Sequence, residues 1–224
     1  MHIRLNKFIA ANTGLSRRSA DEKISKGEVL VNGRQANLGQ NISSSDKVTL
    51  NNKAVLPKNK VTIIFNKPVG YVCSKNGQGN STIYELLPKE FADLKTVGRL
   101  DKDSSGLLLL TNDGDLANSL THPKFQKNKE YIIDIDKPLQ PLNQQMISDM
   151  GVMLDDGPSK LILESMNHDR TKWRVVMSEG RNRQIRRTFK VLDYVVTSLH
   201  RTKFGSYELG DINSGAYQSV TTEV

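Results

Sequence analysis

The sequence of 224 residues contains one cysteine, one tryptophan and no long apolar run. A single thiol, Cys73, cannot build a disulfide framework, and without further cysteines the four dispersed histidines form no zinc pattern. The longest apolar stretches, such as residues 107–110, are far shorter than the roughly 18 residues that a membrane span needs. Residues 1–5 lack the apolar core of a secretion signal, so we expect a cytoplasmic protein.

What the sequence does contain is enough apolar material for a packed core. Hydrophobic residues make up 37% and charged residues 25% of the chain, a balance typical of a folded protein. The length corresponds to one large domain or two small ones.

Residues 1–60 hold 11 basic and 4 acidic side chains, so they carry most of the net charge of +8. A second basic segment, residues 181–203, contains seven basic side chains and one acid. This distribution indicates a polyanion partner, most simply a nucleic acid, although a basic surface that serves only solubility is the alternative.

Local signals in the N-terminal segment predict two short helices followed by a β-hairpin. Leu5, Phe8 and Ile9 recur at helical spacing over residues 4–13. Ser16 is a typical N-cap for a second helix, which the glycine at position 27 ends. The pair Asn32-Gly33 between two apolar runs indicates a tight hairpin, and residues 46–50 add a strand.

This order of elements resembles the S4-like RNA-binding domain over residues 2–50. We therefore expect an S4-like domain at residues 1–50, a linker at 51–60 and a larger domain at 61–224. Two arginines at the start of the second helix would present guanidinium groups beside free backbone N–H groups, an arrangement suited to phosphate. The expected RNA-binding residues of this domain are Arg4, Lys7, Arg17 and Arg18.

The sequence predicts an α+β fold for the larger domain. Strand-like runs begin at residues 61, 107, 131, 161 and 173, and helical patterns lie at 116–120 and 144–150. These elements predict a mixed or antiparallel sheet flanked by helices. A further helix is indicated after Asn182, a potential N-cap, where Ile185, Phe189 and Leu192 recur at helical spacing. On this helix Arg183, Arg187 and Lys190 would form a separate outward stripe that binds phosphates.

Residues 98–106, with the sequence GRLDKDSSG, precede the apolar run at 107–110 and form the most informative segment. A buried strand behind this polar loop would hold Asp101 rigidly, although an aspartate in such a loop is more often a turn residue or a cap. The whole string resembles the signature of pseudouridine synthases, in particular the RsuA/RluB-type enzymes that modify bacterial ribosomal RNA. Three further segments match in order, at residues 66–70, 129–131 and 178–187.

The resemblance implies a chemistry and a set of residues. Isomerisation of uridine to pseudouridine needs no metal, redox cofactor or energy donor, so we expect no cofactor. Asp101 matches the catalytic aspartate, Tyr131 the ring that stacks on the base, and Arg186 the cation expected beside the aspartate. Whether Asp101 attacks C1′, attacks C6 or removes the C2′ proton stays open. The further residues expected to bind RNA are Arg99, Arg181, Arg183, Arg187 and Lys190.

The expected partner is ribosomal RNA, free or in an assembly intermediate, and the expected state is a monomer without membrane attachment. The sequence of residues 179–184 resembles that of the RluB-type enzymes and favours the large-subunit 23S RNA as target. Residues 69–74 also resemble the enzymes that modify the small-subunit 16S RNA. A non-catalytic RNA-binding protein that kept the fold is the alternative from another class. Such a protein is expected to lack the aspartate, tyrosine or arginine of the three motifs, and all three are present.

Overall fold

The computed structural model describes residues 2–220, which form two domains with separate cores. The N-terminal domain contains two helices and six short strands. Its elements are β1 (Ile3–Arg4), α1 (Leu5–Thr13), α2 (Arg17–Ser25), β2 (Val29–Val31), β3 (Arg34–Gln35), β4 (Asn41–Ile42), β5 (Val48–Leu50) and β6 (Lys53–Ala54).

The predicted order of two helices and a hairpin is confirmed, although α1 begins at Leu5 and not at Arg4. Ser16 accepts a hydrogen bond from the backbone N–H of Ser19 at 3.0 Å and so caps α2. Asn32 and Gly33 both have positive φ angles, as a type I′ turn between β2 and β3 requires. The apolar faces of the two helices pack on β2 around the fully buried Ile9 and Ala20. Periodicity and turn chemistry therefore determine this small core.

The segment expected to be a linker contains a strand. In the structure β6 pairs with β5, and Val55 is buried in the N-terminal core. The connection without regular secondary structure is therefore residues 56–61. Two asparagines in left-handed backbone, Asn51 and Asn52, make the β5–β6 turn. The composition of residues 51–60 did not distinguish this hairpin turn from a linker.

The C-terminal domain is built on one large sheet. Its strands are β7 (Thr62–Lys67), β8 (Lys95–Val97), β9 (Ser105–Thr111), β10 (Lys129–Ile135), β11 (Val152–Leu154), β12 (Gly157–Ser159), β13 (Ile162–Ser165), β14 (Lys172–Met177), β15 (Val196–Phe204), β16 (Tyr207–Glu208) and β17 (Tyr217–Val220). Its helices are α3 (Gly114–Thr121), α4 (Pro141–Gln145), which continues into a π-helical turn (Met146–Met150), and α5 (Gln184–Val191). Short 3₁₀ turns lie at Ile83–Glu85, Lys89–Phe91 and Pro123–Phe125.

The main sheet has nine strands, with the central order β13-β14-β10-β15-β9-β7-β17. Strands β8 and β16 pair beside this path, and β11 and β12 form a separate hairpin. The contact between β15 and β9 is parallel, while the other strand pairs are antiparallel. The expectation of an α+β fold with a mixed sheet and flanking helices is confirmed.

The four-leucine run at residues 107–110 lies on β9 at the centre of this sheet. Its leucines alternate between the two sides, because successive side chains of a strand point to opposite faces. Leu108 and Leu110 pack in the larger core, and Leu107 and Leu109 pack in the core on the other face. This central strand follows directly after the loop that carries Asp101, which gives the loop a rigid base.

Polar side chains connect the two domains. Lys7 on α1 forms an ion pair of 2.5 Å with Asp115 on α3. Lys95 donates hydrogen bonds to the backbone carbonyls of Ala10 and Leu15 at the end of α1, at 3.4 and 2.7 Å. In the part of the chain that the structure describes, no helix has the length and hydropathy of a membrane span.

Candidate active site

A cavity of about 720 Å³ opens beside the sheet, where β10 begins and the antiparallel β15 ends. Asp101, Tyr131 and Arg186, the three residues expected to be catalytic, all line it. Its charged lining consists of seven basic and two acidic side chains, namely Arg99, Lys127, Lys129, Arg181, Arg183, Arg186, Arg201, Asp101 and Glu179. The cavity is therefore strongly basic around one central carboxylate, which suits a polyanionic ligand.

Four residues on four adjacent strands form a row across the floor of this region. Lys67 on β7 pairs with Gly106 on β9, Gly106 pairs with Arg201 on β15, and Arg201 pairs with Tyr131 on β10. Residues directly opposite one another on paired strands point to the same face of a sheet. The row therefore places one ring and two cations under the loop that carries Asp101.

The Asp101 loop is fixed from below by Lys67, whose side chain is fully buried. Its Nζ donates three hydrogen bonds to the carbonyl oxygens of Pro68, Asp101 and Ser104, at 2.9, 3.0 and 2.7 Å. Burial lowers the pKa of this ammonium group, while the three carbonyls use all of its donors. The sequence signal for this role is a lysine on the same strand face as Ile63 and Phe65, a position where alternation alone predicts an apolar residue.

A second buried side chain, Cys73, holds the residue that precedes Asp101. The Sγ atom donates to the carbonyl of Leu100 at 3.2 Å and accepts from its N–H at 3.4 Å. Burial raises the pKa of this thiol, which favours the protonated form that can donate. Lys67 and Cys73 therefore restrain the backbone on both sides of the Asp101 side chain.

The cation beside Asp101 is Arg183 rather than Arg186. A guanidinium nitrogen of Arg183 lies 3.4 Å from the carboxylate of Asp101, whose side chain is 40% exposed. Arg183 also binds Asp103 through two hydrogen bonds of 2.9 and 2.8 Å. One arginine thus bridges two carboxylates of the same loop and supplies the positive charge that an ionised Asp101 needs.

Arg186 contacts the same loop from deeper in the protein. Its guanidinium donates to the carbonyls of Val196 at 2.5 Å and Asp103 at 2.9 Å, and its Nε lies 3.4 Å from the Asp103 carboxylate. Burial lowers the pKa of this arginine, although the group stays charged. The structure therefore brings Arg186 to the loop, but the direct ion pair to Asp101 is made by Arg183, three residues earlier in the chain.

Tyr131 lies on β10, and its side chain belongs to the larger core and also lines the cavity. Lys129, two residues earlier on the same strand, also lines the cavity, and its Nζ lies 5.2 Å from the centroid of the Phe204 ring. Burial lowers the pKa of Lys129, and the charge of Arg201 adds to this effect. The alternation of β10 thus presents one aromatic ring to the cavity.

Besides Arg183, two of the arginines expected to bind RNA are used within the protein. Arg181 donates to the carbonyls of Asp156, Gly157 and Pro158 and pairs with the Asp156 carboxylate at 2.9 Å. Arg187 forms two hydrogen bonds with the same carboxylate, at 3.1 and 2.8 Å. These contacts fasten the β11–β12 hairpin to α5, so both guanidinium groups have structural partners.

The other expected RNA-binding residues lie at the surface. Arg99 is exposed at the rim of the cavity, and Lys190 is exposed on α5. In the N-terminal domain Arg17 and Arg18 are exposed at the start of α2, Arg4 donates to the carbonyl of Gly39 at 2.6 Å, and Lys7 forms the interdomain ion pair described above. The structure therefore leaves Arg99, Arg17, Arg18 and Lys190 the most accessible members of the set.

Asn182 does not cap α5 as the sequence suggested. The helix begins at Gln184, and its N-cap is Arg183 in left-handed backbone, with φ 46°. Arg183 is therefore not on the helix, and its side chain is free to reach the Asp101 loop instead of joining a stripe with Arg187 and Lys190. Within residues 2–220, no group of three or more histidine, cysteine or acidic side chains is arranged to hold a metal ion.

The Asp103–Arg183 contact predicts a pH dependence of stability. The hydrogen bonds from Arg183 hold the pKa of Asp103 below its ordinary value. A depressed carboxyl pKa stabilises the fold above the unfolded value of about 4, and this contribution is lost as the pH falls through the folded value. We expect Asp103→Asn to be less stable than wild type at pH 7, by up to about 1 kcal/mol because the pair is partly exposed. Urea unfolding between pH 7 and 3 should show the difference shrink as the pH falls, and a constant difference would contradict the assignment.

Comparison with known proteins agrees with the geometry. The model of the RNA pseudouridylate synthase family matches residues 61–190, and the S4 domain model matches residues 3–48. The chain therefore belongs to the RNA pseudouridylate synthase family and carries an S4 domain, so the resemblance found in the sequence is confirmed. A solved structure described as a pseudouridylate synthase superimposes with a TM-score of 0.71 at 32% identity, covering 98% of this chain and 96% of the other.

Curated relatives differ in length and in the subunit that they are named for. A ribosomal large subunit pseudouridine synthase B from Xylella fastidiosa is 38% identical over 91% of this chain, but the chain spans only 45% of that protein. The chain thus spans about half the length of several of the relatives that it matches. A large-subunit synthase B from Bacillus subtilis is 33% identical, with 97% of this chain and 92% of the relative covered. A ribosomal small subunit pseudouridine synthase A from Pasteurella multocida is 35% identical, with 99% and 97% covered.

Proposed function

We propose that this protein is a ribosomal RNA pseudouridine synthase that isomerises a specific uridine, with Asp101 as its nucleophile or base. The observation that carries the proposal is the basic cavity, where a restrained loop places Asp101 beside Arg183 and above the sheet position of Tyr131. An ionised carboxylate needs a nearby cation when RNA displaces water from it, and Arg183 is placed to supply that charge.

The remaining residues have roles that follow from their contacts. Tyr131 lines the cavity, where its ring stacks on the uracil and holds it while the base turns. Arg186 fixes the backbone of the Asp101 loop through the carbonyl of Asp103. A base within a helix must leave the stack to reach this cavity, and the exposed Arg99 at the rim is placed to contact the RNA from which it leaves.

We propose the large-subunit 23S RNA as the target, because most of the relatives in the comparison carry large-subunit names. The small-subunit 16S RNA is the second candidate, since the Pasteurella relative matches over nearly its whole length. We propose that the protein binds either RNA free or within an assembly intermediate. We also propose that it acts as a monomer in the cytoplasm, where these RNAs are made.

The direct test uses both RNAs as transcripts. Each transcript is incubated with the protein, and pseudouridine is then mapped through its chemical adduct by primer extension. We expect one new pseudouridine in 23S RNA and none in 16S RNA. A product found only in 16S RNA would show that the small-subunit RNA is the target. The absence of product in transcripts and in purified ribosomal precursors would contradict the proposed enzymatic activity.

The N-terminal domain is proposed to dock the RNA through the start of α2. Arg18 is exposed there, beside backbone N–H groups at the end of the helix, so a phosphate would meet a guanidinium and the positive end of the helix dipole. We expect Arg18→Gln to weaken RNA binding and to reduce the slope of log K against log salt by about one unit, as loss of one phosphate contact does. Filter binding at several salt concentrations measures both quantities.

A matched control lies on the same helix. Lys26 is exposed at the other end of α2, so Lys26→Gln removes the same charge about one helix length away. We expect the control to change the slope by much less than Arg18→Gln. Equal slopes for the two variants would show that α2 contributes only long-range charge and would contradict a phosphate contact at Arg18.

A further inference from the structure

Arg201 is an unusual residue for the centre of a sheet. It lies on β15 with only 2% of its surface exposed, which makes it one of the largest fully buried side chains. An arginine cannot release its proton under ordinary conditions, so the structure buries a permanent positive charge there. A buried charge without compensation is strongly destabilising, and its presence calls for a partner or a function.

The hydrogen bonds of Arg201 are incomplete within the protein. Its Nε donates to the carbonyl of Leu107 at 2.7 Å. The buried Nη2 has no hydrogen-bond partner, and among residues 2–220 no carboxylate lies within 4.0 Å of the guanidinium. The ring of Phe204 lies under the guanidinium carbon at 5.0 Å and provides partial compensation. The protein therefore leaves one buried donor unsatisfied on a side chain that lines the cavity.

The position of Arg201 limits what that ligand can be. Arg201 lines the same cavity as Asp101 and Tyr131, and it is the direct cross-strand partner of Tyr131. Paired residues on one face have Cβ atoms about 5 Å apart, so a planar group that lies against Tyr131 also comes within reach of a long side chain at 201. On its other side the row has Gly106, whose lack of a Cβ lets the backbones of β9 and β15 approach closely at Arg201.

We propose that Arg201 binds the uracil base at Tyr131 and stabilises the negative charge that the base acquires during the isomerisation. This proposal rests on the proposed function. When the N1–C1′ bond breaks, its electron pair stays on the ring and is spread over N1, O2 and O4. Asp101 compensates C1′ meanwhile, either by bonding to it or by removing the C2′ proton, and it reverses that step when the C5–C1′ bond forms. C5 then loses its proton to water and N1 gains one from water, so the atoms balance. A guanidinium donor aimed at a carbonyl oxygen of the ring favours the charged state over the neutral base.

A phosphate of the RNA is the other group that a free guanidinium donor could bind. The burial of Arg201 on the floor of the cavity, in register with the ring, favours the base over the backbone. The two possible ligands of Arg201 can be distinguished by which measured quantity changes when the guanidinium is removed. A phosphate contact contributes to affinity and its salt dependence, whereas a contact to the developing anion contributes to the rate.

The test compares Arg201→Met and Arg201→Lys with wild type in the full-length protein, on whichever ribosomal RNA transcript the wild type modifies. Methionine fills a similar volume without charge, and lysine keeps the charge without the planar donors. We expect kcat to fall about 100-fold in Arg201→Met, as it does when one donor to a developing anion is removed elsewhere, with KM and the salt slope of RNA binding unchanged. Arg201→Lys should recover part of the loss.

The fluorescence of the single, buried Trp173 during urea unfolding reports whether the variants fold. A loss of activity that only follows a loss of folded protein would overturn the proposal, as would a kcat equal to wild type in folded Arg201→Met. A weaker affinity and a lower salt slope with kcat unchanged would assign the donor to a phosphate. If the wild type modifies no transcript, the proposed function itself fails, and that result is separate from the behaviour of the variants.

Discussion

Asp101→Asn is expected to abolish pseudouridine formation, with a fall in rate of at least about 10³-fold, because an amide can neither attack the nucleotide nor accept its proton. RNA binding should remain close to wild type, since the change removes a negative charge from a basic cavity. The carboxylate is 40% exposed and makes no hydrogen bond that the loop depends on, so the variant should fold normally. The measurement is single-turnover formation of pseudouridine, with RNA binding measured on the same preparation.

The matched control for this substitution is Asp155→Asn in the exposed turn between β11 and β12. It makes the same chemical change outside the cavity, and we expect its rate to be unchanged. Residual activity of Asp101→Asn within about tenfold of wild type would exclude a covalent or proton-transfer role for this carboxylate. Loss of activity in both variants would instead point to a general effect of charge.

Gly106→Ala is expected to destabilise the C-terminal domain by about 3 kcal/mol or more. The backbone of Gly106 has φ +101°, which other residues rarely adopt, and an added Cβ would lie 2.3 Å from the carbonyl oxygen and 2.6 Å from the nitrogen of Arg201. Both contacts are with backbone, so no side chain can move away. Because β9 and β15 meet here as the only parallel pair among the named strands of the described chain, the clash would separate the central strands of the sheet.

Urea unfolding followed by Trp173 fluorescence measures this effect, since the tryptophan is buried in the same domain. Gly114→Ala is the control: a Cβ added at Gly114 would meet no heavy atom within 4 Å, and this residue begins α3, where alanine is the better helix former. We expect the control to be as stable as wild type or slightly more so. If Gly106→Ala stays within about 0.5 kcal/mol of wild type, the close approach of the two strands is not the reason for this glycine.

Local sequence signals predicted the elements of the fold well, because each depends on residues close together in the chain. Ser16 caps α2, Asn32 and Gly33 turn the hairpin, and the leucines of β9 alternate across a sheet that is covered on both faces. The strand within the expected linker was missed. Its pairing with β5 depends on a turn of two asparagines that composition alone does not reveal.

The sequence indicated residues that the structure brings together, but it did not indicate which of them form ion pairs. Resemblance indicated Asp101, Tyr131 and Arg186, and the structure brings all three to one cavity. The partner of Asp101 depended on where α5 begins. Helical periodicity placed Arg183 on an outward stripe, whereas the left-handed backbone at Arg183 takes it off the helix and turns it toward the loop. Periodicity cannot detect such a change, since a single φ angle redirects one side chain without altering the pattern around it.

The buried cations were missed for a different reason. Lys67 and Arg201 occupy strand positions that burial patterns assign to apolar residues, and their hydrogen bonds go to backbone carbonyls or remain open. Only the paired strands show that the two residues flank Gly106 in one row. A charged residue in phase with the buried face of a strand is therefore a useful sign of a site, because a fold rarely retains such a charge without use.

In the proposed function, the short connection between the domains, residues 56–61, sets the local concentration of RNA at the cavity. Six residues reach at most about 20 Å when fully extended, so an RNA held by the N-terminal domain cannot move far from the C-terminal domain. A tether of this length gives effective concentrations in the millimolar range. We therefore expect each domain to bind RNA weakly on its own and the intact chain to bind firmly, with product leaving by stepwise release of the two contacts.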